Sequence, residues 1–475
     1  MTVESTADRP ERTVVVIGGG VAGLTVARDL LVSRPATRVV VLDASDRVGG
    51  KLRRESIGGH LVDVGAEAML ALRPEAVDLL GELADPSEVV TPDTTSARVW
   101  SRGGLHPLPR TRIGVPFASS DVTGLLTDEE AARMRDESPA PEVGSDVSVA
   151  DYVGARLGDA VVDRLVEPLL GGVYAGRARS LSLRATMPSI WATAQAGGSL
   201  LAEPPVDAQA GGARPPFVGL TGGVGRFPEL LAADLERRGG VIESGVIARA
   251  VERTAEGWSV VTGPTTEPRR VHADAVVVAV PPPAAARLLA PHAPDAASAL
   301  GEVEMASVAV ITLAVPAAQV ASWAGSGFLV PPIDGRGIKA STFSSAKWGW
   351  LAAEAEGTAY VRASVGRAGE TATLQREDAD LVDLAAREIA EAVGAAPLTV
   401  VDSHVQRWGG GLPQYTVGHV DRVARVRAAV ARVPGLAVAG AAYDGVGIPA
   451  VIASARLAAD ATTTHLDGLA GRAGE

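Results

Sequence analysis

The chain alternates short runs of β-branched residues with longer stretches whose apolar positions recur at helical spacing. Val14 to Ile17 is such a run and predicts a buried strand. Glycines follow at once, and Val21 to Leu31 then has the spacing of a helix. Arg38 to Leu42 is a second buried run, so the segment predicts a β-α-β unit. Residues 75 to 200 read as mostly helical, with loops at Pro107–Pro116 and Ser138–Ser145, and Ala202–Pro216 reads as a Pro-, Gly- and Ala-rich linker. Gly222–Arg238 opens with glycines and continues as a helix. Val241–Ile247, Trp258–Thr262 and Ala275–Val280 read as strands, the last ended by Pro281-Pro282-Pro283. Val303–Val315, Gly337–Phe343 and Ala359–Val365 predict a further sheet, Asp378–Val393 an amphipathic helix, Leu436–Ala439 a strand and Ala450–Thr463 a helix. The fold class expected is α/β.

Composition narrows the function. The formal charge of −12 argues against a nucleic-acid coat, although a basic pocket for a small anion stays open. There is no cysteine, which excludes disulfides, thiolate metal sites and a cysteinyl-linked cofactor. The seven histidines show no metal spacing, so no metal site is expected. The polar N-terminus has no apolar signal core, and a cytoplasmic protein is expected, with peripheral membrane contact left open. Met305–Ala324 has no charge, but Pro316 and its polar neighbours favour a strand plus helix over a membrane span.

The run Gly18-Gly19-Gly20-Val21-Ala22-Gly23 lies between the first strand and helix. Gly18 suits the tight turn, Gly20 a close approach to a pyrophosphate, and Gly23 the packing of helix on strand. The helix N-terminus favours an anion. Asp43 ends the second strand twenty residues after Gly23, where it can accept from ribose hydroxyls. A basic, glycine-rich loop then follows, Arg47-Val48-Gly49-Gly50-Lys51. A nicotinamide cofactor does not need it. It reads either as a loop under a longer ligand, such as FAD, or as a solvated surface turn.

DASDRVGGKLR after this glycine turn resembles the flavin amine oxidase and protoporphyrinogen oxidase superfamily. EPLLGGVYAGRARSLSLRATMP (167–188), STFSSAKW (341–348), QRWGGGLPQYTVGH (406–419) and AGAAYDGVGIPAVIASARLAAD (439–460) resemble segments of its porphyrinogen oxidases, including the bacterial coproporphyrinogen III oxidases. The resemblance spans residues 13 to about 462. It implies a Rossmann-like FAD-binding domain in three pieces (1–80, 216–290 and 421–475), a helical insert (81–215) and a mixed-sheet substrate-binding domain (291–420). It implies non-covalent FAD held by Gly18 to Gly23, Asp43, Ala44, Arg47, Gly50 and Lys51. Val64, Gly65, Ala66 and Glu67 are expected beside the flavin, and the Val246 backbone beside adenine. Trp408, Ala441, Val446, Gly447 and Ile448 are expected at the isoalloxazine, with a core indole as the alternative for Trp408.

The implied chemistry is hydride transfer from a porphyrinogen to the flavin, three times over, with molecular oxygen as acceptor and hydrogen peroxide as product. The flavin carries it, so no catalytic side chain is expected. Coproporphyrinogen III carries four propionates, which makes Arg73, Arg110, Arg112, Lys339 and Lys347 candidate contacts, and Gly172 a close backbone approach. The chain has only three lysines, Lys51, Lys339 and Lys347, all in motif segments. EVEMASVAVITL lacks the lysine that amine oxidases place opposite the flavin. The other readings are a protoporphyrinogen IX oxidase, a flavin amine oxidase or desaturase, and a non-catalytic chaperone on the same fold. Transient partners of the haem pathway stay open.

Overall fold

The computed structural model describes residues 12–203 and 215–473. Most of the stretch read as a linker, Ala202–Pro216, lies outside the described residues. The first strand (Arg12–Ile17) stands at the centre of a five-stranded parallel sheet. Its neighbours are Thr37–Leu42 and Ala275–Val278, and the edges are Val241–Glu243 and Leu436–Val438. Three distant pieces of chain thus build one sheet.

Both faces are covered, as a parallel sheet requires. Val14 and Val16 pack into a core with the helices Val21–Ser33, Arg226–Arg237 and Ile448–Ala473. Val15 and Ile17 point the other way, into a core with Trp258 and Val260 of a small antiparallel sheet and with the helices Pro282–Leu289 and Pro294–Gly301. The continuous apolar runs of the sequence are the direct consequence of this two-sided burial.

A second sheet has seven strands, in the order Asp402–Pro413, Met305–Pro316, Thr358–Val365, Ala340–Thr342, Gly327–Leu329, Ala97–Ser101 and Gly104–Pro107. One face packs on the helix Asp378–Val393. Ile311, Leu313, Val361, Ala363 and Val365 meet Leu381, Leu384 and Ile389 there. The alternate residues Val308, Val310, Arg362 and Ser364 face a large cavity instead. The period of two along each strand therefore assigns one face to the core and one to the cavity.

Several expectations are corrected. Residues 75–200 are not mainly helical: Ala97–Ser101 and Gly104–Pro107 form a hairpin that joins the seven-stranded sheet. These are short strands, stabilised by a partner more than two hundred residues away, and local spacing does not report such a partner. The strand expected at Val241–Ile247 stops at Glu243, because Gly245 turns the chain with φ +72°. The last helix begins earlier than Ala450, at Ile448, because Pro449 is tolerated in a first turn. Met305–Ala324 is a strand to Pro316 and then a short helix, Ala317–Val320. No helix among the described residues is long and apolar enough to cross a membrane.

Candidate functional site

The carboxyl ends of the parallel strands open on a cavity of about 1060 Å³ that extends to the inner face of the seven-stranded sheet. Ligands in open α/β sheets bind at such strand ends. Gly18 turns with φ +111°, and a Cβ there would meet the Ala279 carbonyl oxygen at 2.5 Å. A Cβ on Gly23 would lie 1.8 Å from the Gly18 carbonyl oxygen, so the helix sits directly on the turn. Gly20 differs: a Cβ there would meet nothing within 4 Å. It lines the cavity at the N-terminus of the helix Val21–Ser33, with no side-chain cap. That is the cradle a pyrophosphate needs.

The basic loop is tied to this turn. The Gly49 N–H donates to the Gly19 carbonyl at 2.8 Å, and Gly20 and Gly49 form a parallel bridge. The loop is therefore a second wall of the same cradle. Gly50 and Lys51 line the cavity, whereas Arg47 does not. The Lys51 ammonium has no hydrogen-bond or ion-pair partner among the described residues, and enclosure by protein lowers its pKa. The Asp43 carboxylate takes the N–H groups of Gly19 and of Ser45. Val246 lines the cavity, and its N–H donates to the Asp43 carbonyl.

Beyond the cradle, Gly65, Ala66 and Glu67 line the middle of the cavity, opposite Trp408. A Cβ on Gly65 would lie 3.4 Å from the Trp408 ring. Val64 is buried behind them, with its carbonyl 3.4 Å from Trp408 Nε1. Glu67 accepts from Lys347 Nζ at 2.9 Å, Ser344 Oγ at 2.9 Å and Arg362 Nη1 at 2.7 Å. Arg362 Nη2 also donates to the Gly65 carbonyl at 2.5 Å. Burial alone would push the Glu67 carboxyl up, but the two cations hold it well below the usual carboxylate range. This network clamps the Val64–Glu67 stretch to the seven-stranded sheet.

The C-terminal loop closes the far wall with Gly440, Ala441, Val446, Gly447 and Ile448, the last at the start of the long terminal helix. Tyr415 Oη donates to the Ala441 carbonyl at 2.7 Å. Gln414 Nε2 donates to the Tyr174 carbonyl at 2.8 Å, and a Cβ on Gly176 would lie 2.5 Å from Gln414 Oε1. The GVYAG, LPQY and GAAYDGVGI stretches are thus parts of one joint.

The proposed substrate contacts separate. Gly172 and Lys339 line the cavity, and Lys347 lines it while paired with Glu67. Arg73, Arg110 and Arg112 do not line it. Arg73 pairs with Glu75 on the surface, Arg110 lies over the Phe117 ring, and Arg112 donates to Thr193 and to the Leu200 carbonyl. Sequence reasoning missed Arg362, Arg287, Gln414 and Tyr415. The signal for Arg362 was available: it is a lone charge inside the apolar run AYVRASV. All three lysines of the chain line this one cavity. With Arg287 and Arg362 they put five cations on its wall against the two carboxylates of Asp43 and Glu67, in a chain of net charge −12.

These residues fit a flavin dinucleotide: an open glycine cradle at the N-terminus of Val21–Ser33, a second helix N-terminus at Ile448, and Gly65, Trp408 and Ala441 on the wall of the same cavity. The family model for flavin containing amine oxidoreductases matches residues 21–463. Coproporphyrinogen III oxidase of Mycobacterium tuberculosis is 39% identical over 468 residues, covering 97% of this chain and 99% of that protein. The Bacillus subtilis coproporphyrinogen III oxidase is 30% identical, covering 96% and 99%. A solved structure from Exiguobacterium sp. 255-15 that carries a protoporphyrinogen oxidase assignment superposes with a TM-score of 0.82 at 30% identity, covering 96% of this chain and 99% of that one. Cavity, cradle and comparisons agree: the chain is an oxidoreductase that belongs to the flavin-containing amine oxidoreductase family, and within it to the group of the coproporphyrinogen III oxidases.

Proposed function

We propose that the protein oxidises coproporphyrinogen III to coproporphyrin III with non-covalently bound FAD. The observation that carries this reading is the single cavity that runs from the Gly20 cradle, past Gly65 and Trp408, to Lys339. At about 1060 Å³ it is large enough to take more than a dinucleotide's flavin end, and five cations stand on its wall against two carboxylates.

Flavin, when bound there, would supply the two-electron chemistry as acceptor of hydride from a meso carbon of the substrate. Each round takes two electrons and two protons from the macrocycle and returns them to oxygen as hydrogen peroxide. Three rounds remove the six hydrogens that separate porphyrinogen from porphyrin. The chain's own task is to bind and orient. Val308, Val310, Leu329 and Gly172 offer an apolar wall for the macrocycle, and the buried cations draw its carboxylates. With no cysteine in the chain, no thioether link to the flavin can form.

The test is anaerobic reduction of the holoenzyme by coproporphyrinogen III, followed in the visible flavin band, beside the same run with protoporphyrinogen IX. Bleaching by the first, with recovery and peroxide release on adding oxygen, supports the reading. Bleaching by the second alone would move the assignment to protoporphyrinogen. Bleaching by neither would overturn it.

A further inference from the structure

Three cations stand at the substrate end of the cavity, and they are not equivalent. Lys347 and Arg362 share the Glu67 carboxylate. Lys339 is 5% exposed, lines the cavity, and has no hydrogen-bond or ion-pair partner for its ammonium among the described residues. Its strand neighbours do not relieve it, since its own N–H donates to the Ser364 carbonyl and its carbonyl accepts from Val330. The charges that act on it are Arg367, which repels it, and Glu370, which attracts it. Glu370 already serves Arg177 and Arg367, and Arg177 reaches Glu167 as well. Burial, then Arg367, bring the Lys339 ammonium down to about 7. A buried cation without a counter-ion is costly, and a ligand carboxylate would remove that cost.

The pattern of carboxylates on the substrate decides what such a cation is for. A porphyrinogen with two propionates on adjacent rings can enter with its uncharged edge leading, keeping both carboxylates in water. A macrocycle with propionates on all four rings has no uncharged edge. Whichever way it enters, carboxylates go in first, and they need a buried cation to meet. We infer that Lys339 is the specificity-determining residue of this site, pairing with a carboxylate that coproporphyrinogen III has and protoporphyrinogen IX lacks. This rests on the porphyrinogen reading above and deepens it.

The test compares wild type with Lys339→Met, similar in length and uncharged, and with Lys339→Arg. For Lys339→Met, kcat/KM on coproporphyrinogen III falls by at least about tenfold, in line with losing a charge-assisted pair. On protoporphyrinogen IX it stays within about twofold of wild type or rises, and Lys339→Arg recovers part of the loss on the first substrate. Flavin content and melting temperature confirm that each variant is a folded holoenzyme. An equal fall on both substrates, or no change on either, overturns the inference while leaving the porphyrinogen reading intact. A wild-type enzyme inactive on both substrates overturns that reading itself. Should the methionine variant not fold, the wild-type pH profile decides. KM for coproporphyrinogen III then rises above pH about 7 while KM for protoporphyrinogen IX does not, and parallel profiles sink the inference.

Discussion

The hydroxyl of Tyr415 donates to the carbonyl of Ala441 across 2.7 Å, from the end of the seven-stranded sheet to the loop that walls the cavity. Tyr415 is buried, its ring lies 5.6 Å from that of Tyr174, and its own carbonyl accepts from the Ser182 N–H. One residue therefore ties the segment of Tyr174 and Ser182, the end of the seven-stranded sheet and the C-terminal loop together. Tyr415→Phe keeps the packing and removes only the donor. We expect a loss of about 1 kcal/mol in stability, the usual worth of one such bond. A several-fold weaker hold on flavin should accompany it, read by titrating flavin into the stripped protein. Unchanged flavin affinity would reduce the bond to a structural one.

The glycine turn gives an opposed pair of variants. Gly20→Ala places its methyl in open space, and Gly20 already has φ −75°. The protein should fold with an unchanged melting temperature yet bind flavin at least about tenfold more weakly, about 1.4 kcal/mol. Gly23→Ala drives a methyl into the Gly18 carbonyl and should destabilise the chain itself. Thermal melts of the flavin-free proteins separate the two outcomes.

Glu67 neutralises two cations at once, so Glu67→Gln leaves Lys347 and Arg362 facing each other in a buried wall. A loss of about 3–5 kcal/mol is expected. The double variant Glu67→Gln with Lys347→Met should be more stable than the sum of its singles predicts. Because the folded Glu67 pKa is depressed, its stabilising contribution is present above the unfolded carboxylate value and is lost as pH falls through the folded one. Urea melts from neutral to acid pH should show Glu67→Gln narrowing its gap to wild type as acid is added.

The three lysines all line one cavity. Reductive methylation of the flavin-free protein and of the holoenzyme should therefore label Lys51 and Lys339 according to what fills the cavity, while Lys347 reacts slowly in its pair with Glu67. Flavin should protect Lys51, and coproporphyrin III should protect Lys339. Peptide mass spectrometry reads each site separately. Equal labelling with and without ligands would place the ligands elsewhere.

The sequence by itself determined the first β-α-β unit, the glycine cradle and its acid. These are local: four β-branched residues, a turn that only glycine can make, and a helix with its N-terminus free lie within thirty residues of chain. The resemblance located the motif stretches. What those stretches do to one another was decided only in three dimensions. Period-two alternation says that Arg362 faces away from Val361 and Ala363, but not that Glu67, far away in sequence, meets it there. The five arginine and lysine candidates looked alike as residue types. The tertiary structure sent Arg73, Arg110 and Arg112 to other partners, neutralised Lys347, and left Lys339 buried and without a partner among the described residues. The reason is physical: an ion's role depends on the charges and carbonyls within a few ångströms of it, and for these side chains the neighbours come from distant parts of the chain.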